Sequence, residues 1–155
     1  MKQITIYTDG ACLGNPGPGG YGVVLLYDGH QKELSGGYRK TTNNRMEMMA
    51  AIVGLRALKQ PCKVTLYSDS RYVVQAMSEG WAERWRAKGW KRNAKEPAKN
   101  PDLWAEMLNL SEQYDVSFKW VKGHAGNIGN ERCDALAVAA ANQPNLPRDE
   151  AYEAG

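Results

Sequence analysis

ITIYTD, residues 4–9, and VTLYSD, residues 64–69, are the two stretches on which the fold turns. Each has the β-branched and aromatic content of a strand, ends on an aspartate and opens onto a polar turn. If the two strands are parallel neighbours, Asp9 and Asp69 meet at the carboxyl edge of a sheet, where open α/β folds place their sites. Taken singly, each acid also reads as local punctuation: Asp9 as a turn residue before Gly10, Asp69 as a helix N-cap within SDS.

The flanking sequence supplies the rest of a mixed sheet. Residues 21–28 (YGVVLLYD) and 31–38 (QKELSGGY) continue the alternation, with Asp28-Gly29 between them as a hairpin signal, so three antiparallel strands are expected at the start. Helical spacing follows over 44–59, with Met46, Met49, Ala50, Val53 and Ala57 on one stripe and Pro61 as the stop. Further helices are predicted over 70–79, 81–88, 102–113 and about 128–141, and a last strand over 116–121. With no internal repeat and no second core, the pattern predicts one α/β domain. Residues 143–155, with Pro144 and Pro147, read as a flexible tail.

At 155 residues the chain is long enough for one well-buried core. Cys12, Cys62 and Cys133 are isolated from one another, which argues against a disulfide framework and fits a reduced, cytoplasmic protein. There is no signal-peptide pattern and no run of apolar residues long enough to span a bilayer. The net charge of +3 is unevenly placed: Trp81 to Lys99 carries seven Lys or Arg against two acids, while the remainder is slightly acidic. A basic segment on a nearly neutral body points to an anionic partner met on one face.

Two further acids sit where acids are unexpected. Glu47 shares a helical face with Ala50, Ala51, Gly54 and Leu55, a small and apolar stripe that would carry it towards the sheet. With Asn44 three residues earlier it also has the form of a capping box. Asp134 lies mid-helix among Cys133, Ala135, Leu136 and Ala137, although a solvated helix edge would also suit it. Several carboxylates held close together need a hard divalent cation, since like charges otherwise force one to take a proton. With two histidines and scattered cysteines, magnesium or manganese suits the residue set better than zinc. Carboxylates beside a basic patch suggest metal-assisted phosphoryl chemistry.

Gly17, Gly19 and Gly22 formally satisfy a GxGxxG pattern, but a strand follows rather than a helix, so no pyrophosphate site is built. Close approach of that backbone to another chain, with Cys12 and Asn15 at the tip, is the expected use. His30 reads as a solvated turn residue, whereas His124 in KGHAGN leaves the end of a strand and is placed to move protons, or is an ordinary loop histidine. Trp81, Trp85, Trp90 and Trp104 interleave with the basic residues. Trp85 and Trp104 are expected inside, the lysines and Arg92 outside, gripping a sugar-phosphate backbone.

TDGACLGNPGPGGYG, TTNNRMEMMAAI, YSDSRYV, the tryptophan-rich basic segment and WVKGHAGNIGNERCDALA, in this order and spacing, closely resemble the bacterial type 1 ribonucleases H, the ribonuclease HI family. The resemblance extends to about Ala141. It implies a five-stranded mixed sheet flanked by helices, with a catalytic domain over 1–142, a basic protrusion over 81–99, and a monomer that cleaves the RNA strand of RNA/DNA hybrids to leave 5′-phosphate and 3′-hydroxyl ends. It implies that Asp9, Glu47, Asp69 and Asp134 hold two Mg2+, with Mn2+ as substitute, and that His124 assists. Asp9 would bridge the ions, Glu47 and Asp69 completing one shell and Asp134 the other. Hybrid-binding positions fall on Cys12, Asn15, Asn43, Asn44 and Gln75, a DNA-phosphate pocket on Thr42 with Asn15, and the basic contacts on Trp81, Lys88, Lys91, Arg92, Lys95 and Lys99. Arg71 stands where similar proteins often carry Gln, which alters the contact expected there.

Overall fold

The computed structural model describes residues 2–123 and 127–155. Its centre is a five-stranded sheet built from β1 (Lys2–Cys12), β2 (Gly17–Tyr27), β3 (His30–Thr41), β4 (Cys62–Ser68) and β5 (Asp115–Trp120), in the order β3-β2-β1-β4-β5. The β1–β2 and β2–β3 pairs are antiparallel, and β1–β4 and β4–β5 are parallel. The helices are α1 (Asn43–Arg56), α2 (Arg71–Ser78), α3 (Trp81–Ala87), α4 (Pro101–Ser111), α5 (Ile128–Ala141) and a short α6 (Glu150–Ala154). No helix among the described residues is long and apolar enough to cross a membrane.

The first three strands outrun the predicted spans. Asp9 is inside β1 rather than at its end, because the ladder with β2 continues to the Cys12–Gly19 pair. Three glycines of the 17–22 stretch receive the chain's own helices: a Cβ on Gly19 would press on Met46 of α1, one on Gly20 would collide with the Ala137 carbonyl of α5, and one on Gly22 with that of Cys133. Neighbouring residues of β2 thus meet different helices, which places α1 and α5 on opposite faces of the sheet.

On the α1 face, Ile6, Val23, Leu66, Ile52, Leu55, Val73, Trp104 and Met107 are buried in one core. Trp104 is fully buried and Trp85 packs edge-on against it, ring centroids 5.9 Å apart, as expected, while the lysines of the basic segment and Arg92 are exposed.

The C-terminal residues are held, where the sequence suggests a loose end. Asp149 is buried and takes two hydrogen bonds from Arg45, and the Thr41 hydroxyl donates to it at 2.8 Å. The Arg39 N–H donates to the Pro147 carbonyl at 2.8 Å, and Arg39 pairs with Glu153. The physical reason is Arg45. A guanidinium buried at the start of α1 requires carboxylates, and Asp102 and Asp149 provide them from two distant parts of the chain.

Candidate active site

Parallel pairing of β1 with β4 runs in register up to Tyr7 with Tyr67, so Asp9, within β1, and Asp69, the residue after β4, each follow that pair by two positions. The Thr8 hydroxyl ties the strands at this level by donating to the Tyr67 carbonyl at 2.8 Å. Asp69 does not cap α2. Ser70 does, its hydroxyl accepting from the Val73 N–H. Likewise Thr42 caps α1 by accepting from the Arg45 N–H, which leaves Glu47 outside any capping box.

Glu47 reaches the pair because α1 lies directly on β1 at Gly10. A Cβ there would stand 2.5 Å from the Glu47 backbone nitrogen. One carboxylate oxygen from each of Asp9, Glu47 and Asp69 then lies within 4.8 Å of the others. The Gly10 N–H donates to Asp9 Oδ1 at 2.9 Å, and the Trp120 indole donates to the Asp69 carbonyl at 3.1 Å. Glu47 Oε2 is enclosed and without a hydrogen-bond partner among the described residues.

The electrostatics follow from crowding. Burial, reinforced by the charges of Asp69 and Asp134 and partly offset by hydrogen bonds with Glu47 and Gly10, pushes Asp9 up to about 7. Burial first, then the charges of Asp9 and Asp69, raises Glu47 well above the usual carboxylate range. Three crowded carboxylates, two of them pushed towards the protonated form and one with an orphaned oxygen, make an all-oxygen donor set that could hold a hard cation.

Asp134 is half-buried on α5 and close enough for its charge to act on Asp9, but it stands outside the tight group of three. His124 lies outside the described residues. Its neighbour Gly123 borders the cluster, since a Cβ on it would stand 2.6 Å from Asp69 Oδ2.

The remaining predicted residues divide by place. Asn15 accepts from the Asn43 N–H at 3.2 Å, which joins the first hairpin to Thr42 at the head of α1. Asn43 and Asn44 are exposed there. Cys12 is half-buried, its thiol donating to the Gly17 and Thr41 carbonyls, so it sits at the base of the hairpin rather than its tip. Arg71 and Gln75 are exposed on α2, and the Arg71 guanidinium lies over the Trp120 ring at 4.2 Å. A cleft of about 590 Å3 lined by Asn44, Tyr72, Trp81, Arg84, Arg92 and Lys99 connects α1 to the basic segment. An apolar cavity of about 320 Å3 between Leu25, Leu58 and Cys62 shares none of these residues. Trp120, which sequence reasoning passed over, borders the cluster through its bond to the Asp69 carbonyl and is 40% exposed; in the sequence it is marked only as an aromatic two positions before the KGHAGN loop.

Residues 1–142 match the RNase H family model. The chain is 68% identical over 149 residues to ribonuclease H of Desulforamulus reducens, covering 96% of this chain and 94% of the relative. It is 66% identical over 147 residues to ribonuclease HI of Synechocystis sp., covering 94% and 92%. Among solved structures it is similar to LC9-RNase H1, a type 1 RNase H with the type 2 active-site motif, with a TM-score of 0.81, 34% identity and coverage of 91% and 72%. It is also similar to LC11-RNase H1 in complex with RNA/DNA hybrid, with a TM-score of 0.66, 25% identity and coverage of 89% and 96%.

Proposed function

Because the chain belongs to the ribonuclease H family, it is a metal-dependent endonuclease acting on the RNA strand of RNA/DNA hybrids, and we propose that Asp9, Glu47, Asp69 and Asp134 hold its cations. The observation that carries this reading is the cluster of three carboxylate oxygens within 4.8 Å, one residue of which has an oxygen with no partner among the described residues. We place two Mg2+ there, with Mn2+ as substitute. Held by these oxygens, the ions would supply Lewis acidity at the scissile phosphate and at an attacking water, and the products of the reaction carry 5′-phosphate and 3′-hydroxyl ends.

The chain's own groups do the rest. The Gly10 N–H fixes the Asp9 carboxylate, and the Trp120 indole fixes the backbone that carries Asp69. Thr42 and Asn15, adjacent at the head of α1, take a phosphate of the DNA strand. Asn43, Asn44, Arg71, Gln75 and backbone near Cys12 follow the shallow minor groove, where 2′-hydroxyls distinguish RNA. Trp81, Lys88, Lys91, Arg92, Lys95 and Lys99 neutralise further phosphates. Such contacts read few base edges, so sequence preference is weak. His124 relays a proton or assists product release. One chain supplies every group named, in keeping with a monomer, and its three free thiols suit the cytoplasm.

The test is cleavage of an end-labelled hybrid with Mg2+ or EDTA, beside duplex DNA and duplex RNA. Wild type should cut only the RNA of the hybrid, and only with the metal. Asp9→Asn cutting as fast as wild type would show the metal assignment to be wrong, and His124→Ala with unchanged turnover would remove that residue's role.

A further inference from the structure

Tyr7 precedes Asp9 by two residues within β1, so strand alternation puts its ring on the sheet face of that acid, and Tyr67 is its register partner on β4. The rings are stacked, with centroids 5.0 Å apart and planes 15° from parallel. The first turn of α5 rests on Tyr7: a Cβ at Gly129 would stand 2.5 Å from Cγ and Cδ2 and 2.7 Å from Cδ1 of that ring. Helix propensity by itself favours alanine over glycine at a helical position, so the ring is what leaves room for glycine alone. Further along, α5 descends onto bare backbone, with Ala137 seated against Gly20 and Gly22.

The helix is therefore propped at Gly129 by a whole aromatic ring and lowered at Ala137 onto glycines. Asp134 lies between these two supports. We propose that Tyr7, buttressed by Tyr67, is a positioning residue whose ring sets the height of α5 over β1 and so the reach of Asp134 towards Asp9. This rests on the reading of Asp134 as a metal ligand. Nothing in the chemistry asks for the Tyr7 hydroxyl; the thickness of the ring is the functional quantity.

The experiment compares Tyr7→Phe, Tyr7→Leu, Gly129→Ala and the Tyr7→Leu/Gly129→Ala double variant, with Asp134→Asn as reference. Turnover and hybrid KM are measured across Mn2+ concentrations. Mn2+ binding to the free protein is followed separately by loss of the free-ion paramagnetic resonance signal. Tyr7→Phe should match wild type. Tyr7→Leu and Gly129→Ala should each lower kcat about 10-fold or more and weaken Mn2+ binding several-fold, with hybrid KM within about 2-fold, and the double variant should recover part of the loss because the methyl fills the space the ring leaves. If the single variants lose thermal stability but keep kcat and Mn2+ affinity, the ring is packing only and the proposal fails. Should Gly129→Ala not fold, Tyr7→Leu against Tyr7→Phe decides alone. If Asp134→Asn changes neither turnover nor Mn2+ affinity, the ligand reading falls and this proposal with it; if Asp134→Asn abolishes them while the Tyr7 and Gly129 variants do not, only the prop is wrong.

Discussion

Arg45 and Asp149, 104 residues apart, form a two-point ion pair in which Nε donates to Oδ2 at 2.7 Å and Nη2 to Oδ1 at 2.9 Å. The same guanidinium binds Asp102 through Nη1 and Nη2 and reaches Asn100, so one buried cation joins the head of α1, the end of the basic segment and the C-terminal residues. Burial alone would lower the Arg45 pKa, but its two carboxylates outweigh burial and raise it.

Asp149→Ala leaves part of that charge buried and unpaired, which should cost about 3 kcal/mol of stability. Urea denaturation measures it. A loss under about 0.5 kcal/mol, the scale of an ordinary surface substitution, would mean the C-terminal residues do not hold the fold together.

The carboxylate cluster predicts an unusual pH dependence for the metal-free protein. The folded Asp9 pKa of about 7 lies above its ordinary value of 3.8, so the native state favours the protonated form. That contribution is complete below about pH 4 and is lost as pH rises through about 7. In EDTA, Asp9→Asn should therefore be more stable than the parent at pH 8, by on the order of 2 kcal/mol, with the gap closing towards pH 4. Mg2+ should raise the melting temperature of the parent more than that of the variant. Equal melting curves for the two proteins at pH 8 would contradict the crowding described here.

Gly10→Ala tests how α1 reaches the sheet. The added methyl meets the Glu47 nitrogen at 2.5 Å and must push the helix away, carrying Glu47 with it. Activity should fall at least about 100-fold, since misplacement by about 1 Å at a reacting centre has that effect. The basic segment lies beyond α1 and keeps its exposed cations, so the salt dependence of hybrid affinity measured in EDTA should stay that of wild type. Retained turnover would show that Glu47 does not need its place beside Asp9.

Replacing Lys91, Arg92, Lys95 and Lys99 together by alanine removes exposed cations from the protrusion without touching Trp85 or Trp104 in the core. The dependence of log affinity on log salt should flatten by about 2 to 3, and saturated turnover should change little. An unchanged salt slope would take the segment out of the interface.

The sequence alone determined the order of the five strands and of the helices α1 to α5, though not their ends, that positive charge gathers in 81–99, and that Asp9, Glu47, Asp69 and Asp134 are acids with both a local and a clustered reading. These are properties of spacing and composition, and spacing survives without coordinates. Only the tertiary structure showed that Asp69 and Glu47 are not caps, because Ser70 and Thr42 satisfy the free N–H groups of α2 and α1 first. It also decided that Asp134 stands apart from the group of three, that the glycines of β2 receive helices, and that the C-terminal residues are bound. Each of these outcomes rests on a partner far away in the chain. A local pattern shows that a charge or a missing side chain needs company, while the packed fold determines which distant residue provides it.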